Sequence, residues 1–287
     1  MSRVILHVLG TAQDGGLPSP NCFCENCRQA MMNPELRRGA ASLAVILPDE
    51  KQWHIIDLTP DFKEQIIKLQ LIYDLKEKMM ESVCLTHGHI GHYTGLMFLG
   101  KEAMNTKRMP VFTGSEMAQF LKREAPWRQL VELGNIELHQ LIDGEVEQKK
   151  RFTMTPVEVP HRNEFSETFG FWIEGPSKKV LYIPDIDRWD DWSVDIVEAV
   201  KEADICLLDG TFFSEKDLSQ IGRDFREIPH PVITNTINRL QSVVSQSDIY
   251  FTHMNHNNPA IAPDSAARKY IEERGFKVAE DDMHFEL

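Results

Sequence analysis

The sequence predicts a layered α/β fold with two sheets, held in one domain over residues 1–287, and three observations carry that reading. Short apolar runs of β type recur along both halves of the chain. Each half sets several such runs before its helices, without the strict alternation that builds a doubly wound parallel sheet. No internal repeat, low-complexity tract or Pro/Ser linker divides the 287 residues.

Taken in order, residues 4–9 read as a strand, and residues 10–33 as a loop rich in Gly, Pro, Asn and Cys that is long enough to need its own anchor. Residues 42–47 and 53–58 are short strands. Thr59-Pro60-Asp61 then offers an N-cap, a first-turn proline and a first-turn acid for a helix through Ile66, Ile67 and Leu69. Residues 82–86 form another strand, ending at a histidine-rich turn before a helix-like stretch over 93–99. Further strands are expected at 110–113, 137–142, 152–159, 168–174, 180–184, 205–208 and 249–252, with helices starting near Ser115, Ser193, Pro231 and Pro263. The acidic run Glu280-Asp281-Asp282 reads as a solvated turn, Trp189 and Trp192 as core cover, and Gly15-Gly16 as turn geometry, because no GKS/T follows.

Composition narrows the function classes. Hydrophobic residues at 42% and charged residues at 26% exclude disorder as the dominant state. The net charge of −13, with no basic run longer than Lys149-Lys150-Arg151, argues against nucleic acid as a partner. No stretch approaches the roughly 18 apolar residues of a membrane span, and the apolar run at 4–9 is too brief for a secretory signal. A cytoplasmic protein is expected, without membrane contact and with a homodimer as one allowed assembly.

Two clusters carry chemistry. His87-Gly88-His89-Ile90-Gly91-His92 ends a strand-like run, and with 11 His in the chain a chance HxHxxH is expected only about 0.02 times, so coincidence is a weak explanation. Alternate residues of an extended turn point the same way, so His87 and His89 can face one ion while His92 approaches from the helix start. Neutral imidazoles suit Zn, Fe or Mn. Cys22-Phe23-Cys24-Glu25-Asn26-Cys27 places three of the five cysteines in six positions, which suits a closed zinc site needing a fourth ligand from elsewhere; buried thiols or a redox pair are the alternative. Cys84 and Cys206 lie in apolar runs and read as core.

Together these residues resemble the metallo-β-lactamase superfamily, in the branch that holds coenzyme PQQ synthesis protein B and the phosphoribosyl cyclic phosphodiesterase of phosphonate metabolism. Leu9-Gly10-Thr11-Ala12-Gln13-Asp14-Gly15-Gly16, the CxCxxC and Thr59-Pro60-Asp61-Phe62-Lys63-Glu64-Gln65-Ile66 look like the PQQ protein, and the histidine turn looks like the phosphodiesterase. The resemblance covers nearly the whole chain and implies a four-layer αββα sandwich with a zinc-stapled N-terminal loop.

It also implies a site. One metal would take His87, His89 and His161, although His161 taken alone reads as a surface histidine. Asp185 would be the bridging carboxylate, with Asp187 a nearby competitor, and His92 and His253 would meet at a second metal. His256 would complete the zinc site of Cys22, Cys24 and Cys27. His230, before Pro231, would act as an acid or stabilise a leaving group, unless it is a plain first-turn histidine. Asp57 would orient a ligand rather than bind the metal. The chain departs from the superfamily's HxHxDH at Gly91, so the second metal lacks one oxygen donor and is left with His92, His253 and Asp185, or is not bound.

The implied cofactors are a structural zinc and one or two Zn, Mn or Fe ions in the active centre. The implied activity is hydrolysis of a small anionic phosphodiester or related ester through a metal-bound hydroxide, with Asp185 and His230 in the catalytic roles. An iron- and oxygen-dependent enzyme of PQQ or related cofactor biosynthesis is the alternative, and a non-catalytic zinc-binding carrier is a third.

Overall fold

The computed structural model describes residues 3–76, 78–220 and 230–287. The first half of the chain supplies β1 (Ile5–Gly10), β2 (Ser42–Leu47), β3 (Gln52–Ile56), β4 (Ser82–Cys84), β5 (Met109–Thr113) and β6 (Ile136–Gln140). The second supplies β7 (Glu147–Gln148), β8 (Thr153–Val159), β9 (Thr168–Glu174), β10 (Lys179–Ile183), β11 (Ile205–Asp209), β12 (Asp248–Thr252) and β13 (Lys277–Val278), before β14 (His284–Glu286) returns to pair with β1. Among the described residues these make two seven-stranded sheets, ordered β14-β1-β2-β3-β4-β5-β6 and β13-β12-β11-β10-β9-β8-β7.

The two-residue period of a strand explains the layering. In β10, Val180 and Tyr182 face the core between the sheets while Leu181 and Ile183 face the outer core; in β11, Ile205 and Leu207 point inward and Cys206 and Leu208 outward. Strands buried on both faces carry continuous apolar runs, which is why these segments read so clearly in the sequence. Helix α2 (Phe62–Ile72), α4 (Ser115–Arg123) and α5 (Trp127–Glu132) cover the outer face of the first sheet. On the second sheet the cover is α6 (Ile196–Glu202), α8 (Ile233–Leu240) and α9 (Ala266–Glu272), together with Ala12, Leu17 and the buried face of α1 (Glu25–Met32). The four-layer αββα arrangement is as the resemblance implied. Two further short helices, α3 (Ile90–Tyr93) and α7 (Glu215–Gln220), follow β4 and β11.

Three local expectations change. The segment Thr59-Pro60-Asp61 does not cap α2 as expected: the Asp61 carboxylate accepts from the Ala40 amide at 2.9 Å, and the Thr59 hydroxyl accepts from the Asp61 amide and donates to Gln65. The helix therefore begins at Phe62 with no side-chain cap. The loop over 10–33 contains α1, whose Cys27 and Ala30 are buried. Asp281 lies in a turn as expected but is only partly solvated, because its carboxylate accepts from the Thr11 hydroxyl and the Gly39 amide, both at 2.7 Å. Trp189 and Trp192 are core residues, with their indole N–H groups donating to the Thr236 hydroxyl and the Glu158 carbonyl.

Among the described residues no helix is long and apolar enough to cross a membrane. The strands β3 to β6 run parallel, as do β10 to β13, and β8 runs in the same direction as β10 because β9 is antiparallel to both. Open α/β sheets bind ligands beyond the carboxyl ends of their strands, and it is there that the histidines gather.

Two buried imidazoles should make the fold acid-sensitive. Burial holds His7 at about 4, although Asp282 opposes the shift, and holds His54 at about 4 beside the Ser82 hydroxyl and the Phe152 ring. Their folded values lie below the ordinary 6.5, so the unfolded chain takes up protons that the folded one excludes. Their stability is complete above about pH 6.5 and is lost as pH falls towards about 4. His54→Gln should flatten the decline of Tm with pH in that window, and an unchanged slope would remove His54 from the account.

Candidate metal centre

The histidine turn begins where β4 gives out. Gly88 donates its amide to the Ser166 hydroxyl at 2.9 Å, and α3 starts two residues later with His89 as an extended N-cap. His87 Nε2 and His89 Nδ1 lie 2.8 Å apart, and His161 Nε2, delivered from the end of β8, lies 3.3 Å from the same His89 atom. His161 is buried, not the surface histidine it resembles in isolation. The three nitrogens converge as ligands of one ion would.

Asp185 follows β10 and stands between this triad and a second histidine pair. Its Oδ2 lies 3.0 Å from His92 Nε2, 3.2 Å from His253 Nε2 and 3.7 Å from His87 Nε2, and its Oδ1 lies 3.8 Å from His161 Nε2. Both carboxylate oxygens and His253 Nε2 are buried without a hydrogen-bond partner. Unpaired buried acceptors are strongly destabilising, and a divalent cation between them is the simplest compensation. This donor set of imidazoles and carboxylate fits zinc, manganese or iron. Burial alone would raise the Asp185 carboxyl, but His253, His161 and His92 hold it well below the usual range, so it stands ready as an anion. Burial lowers His87 well below the ordinary imidazole value, as it does His253, though less far; His92 is the exception, raised against its burial by Asp57 and Asp185.

Four imidazoles that point Nε2 inward have Nδ1 held from behind. His92 Nδ1 meets Asp57 Oδ2 at 2.7 Å, His87 Nδ1 meets the Thr86 hydroxyl at 2.9 Å, His161 Nδ1 meets Asp187 Oδ1 at 2.9 Å, and His253 Nδ1 meets the Thr211 hydroxyl at 3.0 Å. Such partners fix the tautomer that leaves Nε2 free for a metal. Asp187 is thereby taken up by His161, and Asp185 is the carboxylate that stands between the two groups of histidines. His230 Nδ1 lies 2.7 Å from Asp209 Oδ2, and its ring lines the same cavity as His89, His161 and Asp185. Burial opposes its protonation, but Asp209 and Asp185 raise it. Asp57 and His253 hold left-handed backbone, φ +65° and +56°, at a cost of roughly 1–2 kcal/mol each. At Asp57 this ends β3 two residues before the sequence suggests and turns the carboxylate towards Thr86 and His92.

The sequence did not single out Asp209 or Asp14. Asp209 is the last residue of β11, inside an apolar run whose strand-end position was the available signal. Asp14 sits in a loop, where its Oδ1 comes 3.9 Å from His92 Nε2 and lies close enough to His92 and His253 for the three to hold an ion.

The cysteine cluster closes as expected. His256 Nδ1 lies 3.3, 3.6 and 3.7 Å from the sulfurs of Cys22, Cys24 and Cys27. Tetrahedral zinc with Zn–S near 2.3 Å and Zn–N near 2.0 Å separates S from N by about 3.6 Å, so the four ligands fit that ion. Asn26 donates to the His256 and Asn258 carbonyls, so the loop is clasped to the turn that carries His253. Cys24→Ser should therefore remove one zinc per chain and lower Tm by about 5–10 °C, against little change in His87→Ala; metal analysis and thermal unfolding check both. Asp57→Asn should weaken metal binding at the histidine centre about 10–100-fold while leaving the cysteine zinc in place, read by titration calorimetry.

Comparison with known proteins agrees with this fold. The β-lactamase superfamily domain matches residues 52–258. Coenzyme PQQ synthesis protein B of Nitrosococcus oceani is 26% identical, over 98% of this chain and 99% of its own, and that of Rhizobium meliloti is 27% identical over 98% and 97%. The crystal structure of Zn(2+)-bound PqqB from Methylobacterium extorquens superposes with a TM-score of 0.82 at 23% identity, covering 99% of this chain and 100% of that one. A diphosphatase of the PhnP family superposes at 0.72 and 22% identity, covering 99% and 97%. With two sheets flanked by helices and a histidine–aspartate cluster at their carboxyl ends, the chain belongs to the β-lactamase superfamily and has the metallo-β-lactamase fold.

Proposed function

We propose that this protein is a metal-dependent hydrolase of a small anionic phosphodiester or related ester, working at the histidine centre, with zinc held by the cysteine loop. The observation that carries the reading is Asp185, whose two unpartnered oxygens lie between His87, His89 and His161 on one side and His92 and His253 on the other. The ions such a centre binds, whether zinc, manganese or iron, supply charge that polarises a substrate oxygen and lowers the pKa of water.

The remaining work falls to the chain. The cavity over the centre measures about 260 Å³, which suits a small substrate rather than a polymer. Arg162 is the only guanidinium on its wall among the described residues; it is paired with Glu164 at 2.9 Å, and by exchanging that partner it would give an anionic substrate a positive contact in a chain of −13. His230, steadied by Asp209 on the same cavity wall, would give a proton to a leaving oxygen.

Full-length similarity to coenzyme PQQ synthesis protein B favours a second reading, an enzyme of cofactor synthesis, for which the sequence resemblance implies iron and oxygen. One experiment separates the two. Metals are counted in wild type and in His87→Ala/His89→Ala, and each is assayed with bis(p-nitrophenyl) phosphate and for oxygen uptake. Under the hydrolase reading, zinc or manganese beyond the cysteine equivalent disappears in the variant, and phosphodiester turnover falls at least about 10³-fold. Iron with oxygen uptake and no ester hydrolysis would support the second reading instead. Turnover that survives the double substitution would overturn the assigned site.

A further inference from the structure

We propose that Asp14 is the oxygen donor of the second ion position, replacing the aspartate that Gly91 lacks, and that Gly91 is glycine because Asp14 fills the space of its side chain. The proposal deepens the metal-centre reading and rests on it.

The first observation is steric. A Cβ built on Gly91 would fall 2.1 Å from Asp14 Oδ1, 2.7 Å from its Cα and 2.9 Å from its Cγ, closer than side chains tolerate. Gly91 lies in α3 and has an ordinary helical backbone, where glycine is about 1 kcal/mol less favourable than alanine. Conformation therefore gives no reason for a glycine here, and space does. The carboxylate that HxHxDH would carry on α3 arrives at the same place from a different part of the chain.

The second observation is electrostatic. Asp14 is about one-third exposed, yet its Oδ1 is buried and has no hydrogen-bond partner, and that atom faces His92 Nε2 at 3.9 Å. His253 Nε2, the third member of the group, is also unpartnered. Asp14 Oδ1 and the two imidazoles thus bring three possible ligand atoms together, two of them without a hydrogen bond, in the arrangement that a bound cation would use. With Asp185 between the two positions, the second one gains a set of two nitrogens and two oxygens, chemistry that suits zinc, manganese or iron(II).

Backbone pairing delivers the residue. Ala12 bridges both Ala40 and Met254, the Gln13 amide donates to the Met254 carbonyl at 3.0 Å, and the Met254 amide donates to the Thr11 carbonyl at 2.8 Å. The stretch that carries Asp14 is thus hydrogen-bonded to the residue after His253. Asp14 and His253 are held by one piece of local structure, and the nearby cysteine loop clasps the same turn.

The test uses the full chain loaded with zinc, and separately with manganese, in four forms: wild type, Asp14→Asn, Asp14→Ala, and the exchange Asp14→Gly/Gly91→Asp. Ions per chain are counted and affinities measured by titration calorimetry, with circular dichroism and the retained cysteine zinc reporting folding. We expect wild type to bind two ions at the histidine centre. Asp14→Asn and Asp14→Ala should lose about 10–100-fold in affinity for one of them, and the exchange, which moves the carboxylate to the other side of the same space, should recover it. Two ions bound with unchanged affinity in folded Asp14→Asn and Asp14→Ala would overturn the role of Asp14. A folded exchange variant that binds no better than Asp14→Ala would overturn the shared-space argument. Wild type that binds only the cysteine ion would instead overturn the metal-centre reading itself, so the two failures are told apart.

Discussion

Asp185 is buried with both oxygens lacking hydrogen bonds, surrounded by imidazole nitrogens, and this is the constraint on which the other features depend. A charge in that position is tolerable only if its surroundings supply compensating positive charge. The fold meets the requirement by ending several parallel strands at one place. His87 and His92 follow β4, His161 follows β8, Asp185 follows β10, His230 is tied to Asp209 at the end of β11, and His253 follows β12. Because β4, β10 and β11 are buried on both faces and packed between separate cores, their ends hold fixed positions, and side chains from distant parts of the chain converge to within a few ångströms.

Convergence alone would leave the rings free to turn. The hydroxyls and carboxylates behind them remove that freedom, each occupying one ring nitrogen so that the other must face inward. This layer is also where backbone strain is stored: Asp57 and His253 sit in left-handed conformations that neither side chain favours. The Asp57 amide donates to the Cys84 carbonyl while its carboxylate takes the Thr86 amide, so the turn after β3 is tied to the strand that leads into the histidine turn. Strain in these two turns is set against the placement of His92 and His253.

The cysteine loop contributes from outside the two sheets. By joining His256 to Cys22, Cys24 and Cys27, it fastens the N-terminal segment over the outer face of the second sheet and against the turn after β12. That turn carries His253, and the adjoining segment carries Asp14. A structural ion site and a candidate reactive centre therefore share one short stretch of chain, and order in the first supports geometry in the second.

The sequence by itself determined the apolar strands, the two-sheet class, the histidine turn and the cysteine triplet, because each is written in local residue order: the continuous apolar run Val180 to Ile183, or metal-ligand spacing within six positions. Resemblance extended this to His161, Asp185, His230, His253 and His256, each an ordinary strand-end or turn residue when taken alone. Tertiary structure decided what local order cannot encode. It separated Asp185 from Asp187 through their distances to His161, withdrew Thr59 and Asp61 from helix capping by giving them partners in Gln65 and Ala40, and tied Asp281 to Thr11 and Gly39. Above all it brought Asp14 into the space left by Gly91. An empty position and the side chain that fills it leave no shared pattern along the chain, since the volume they divide exists only once strands far apart in sequence have packed together.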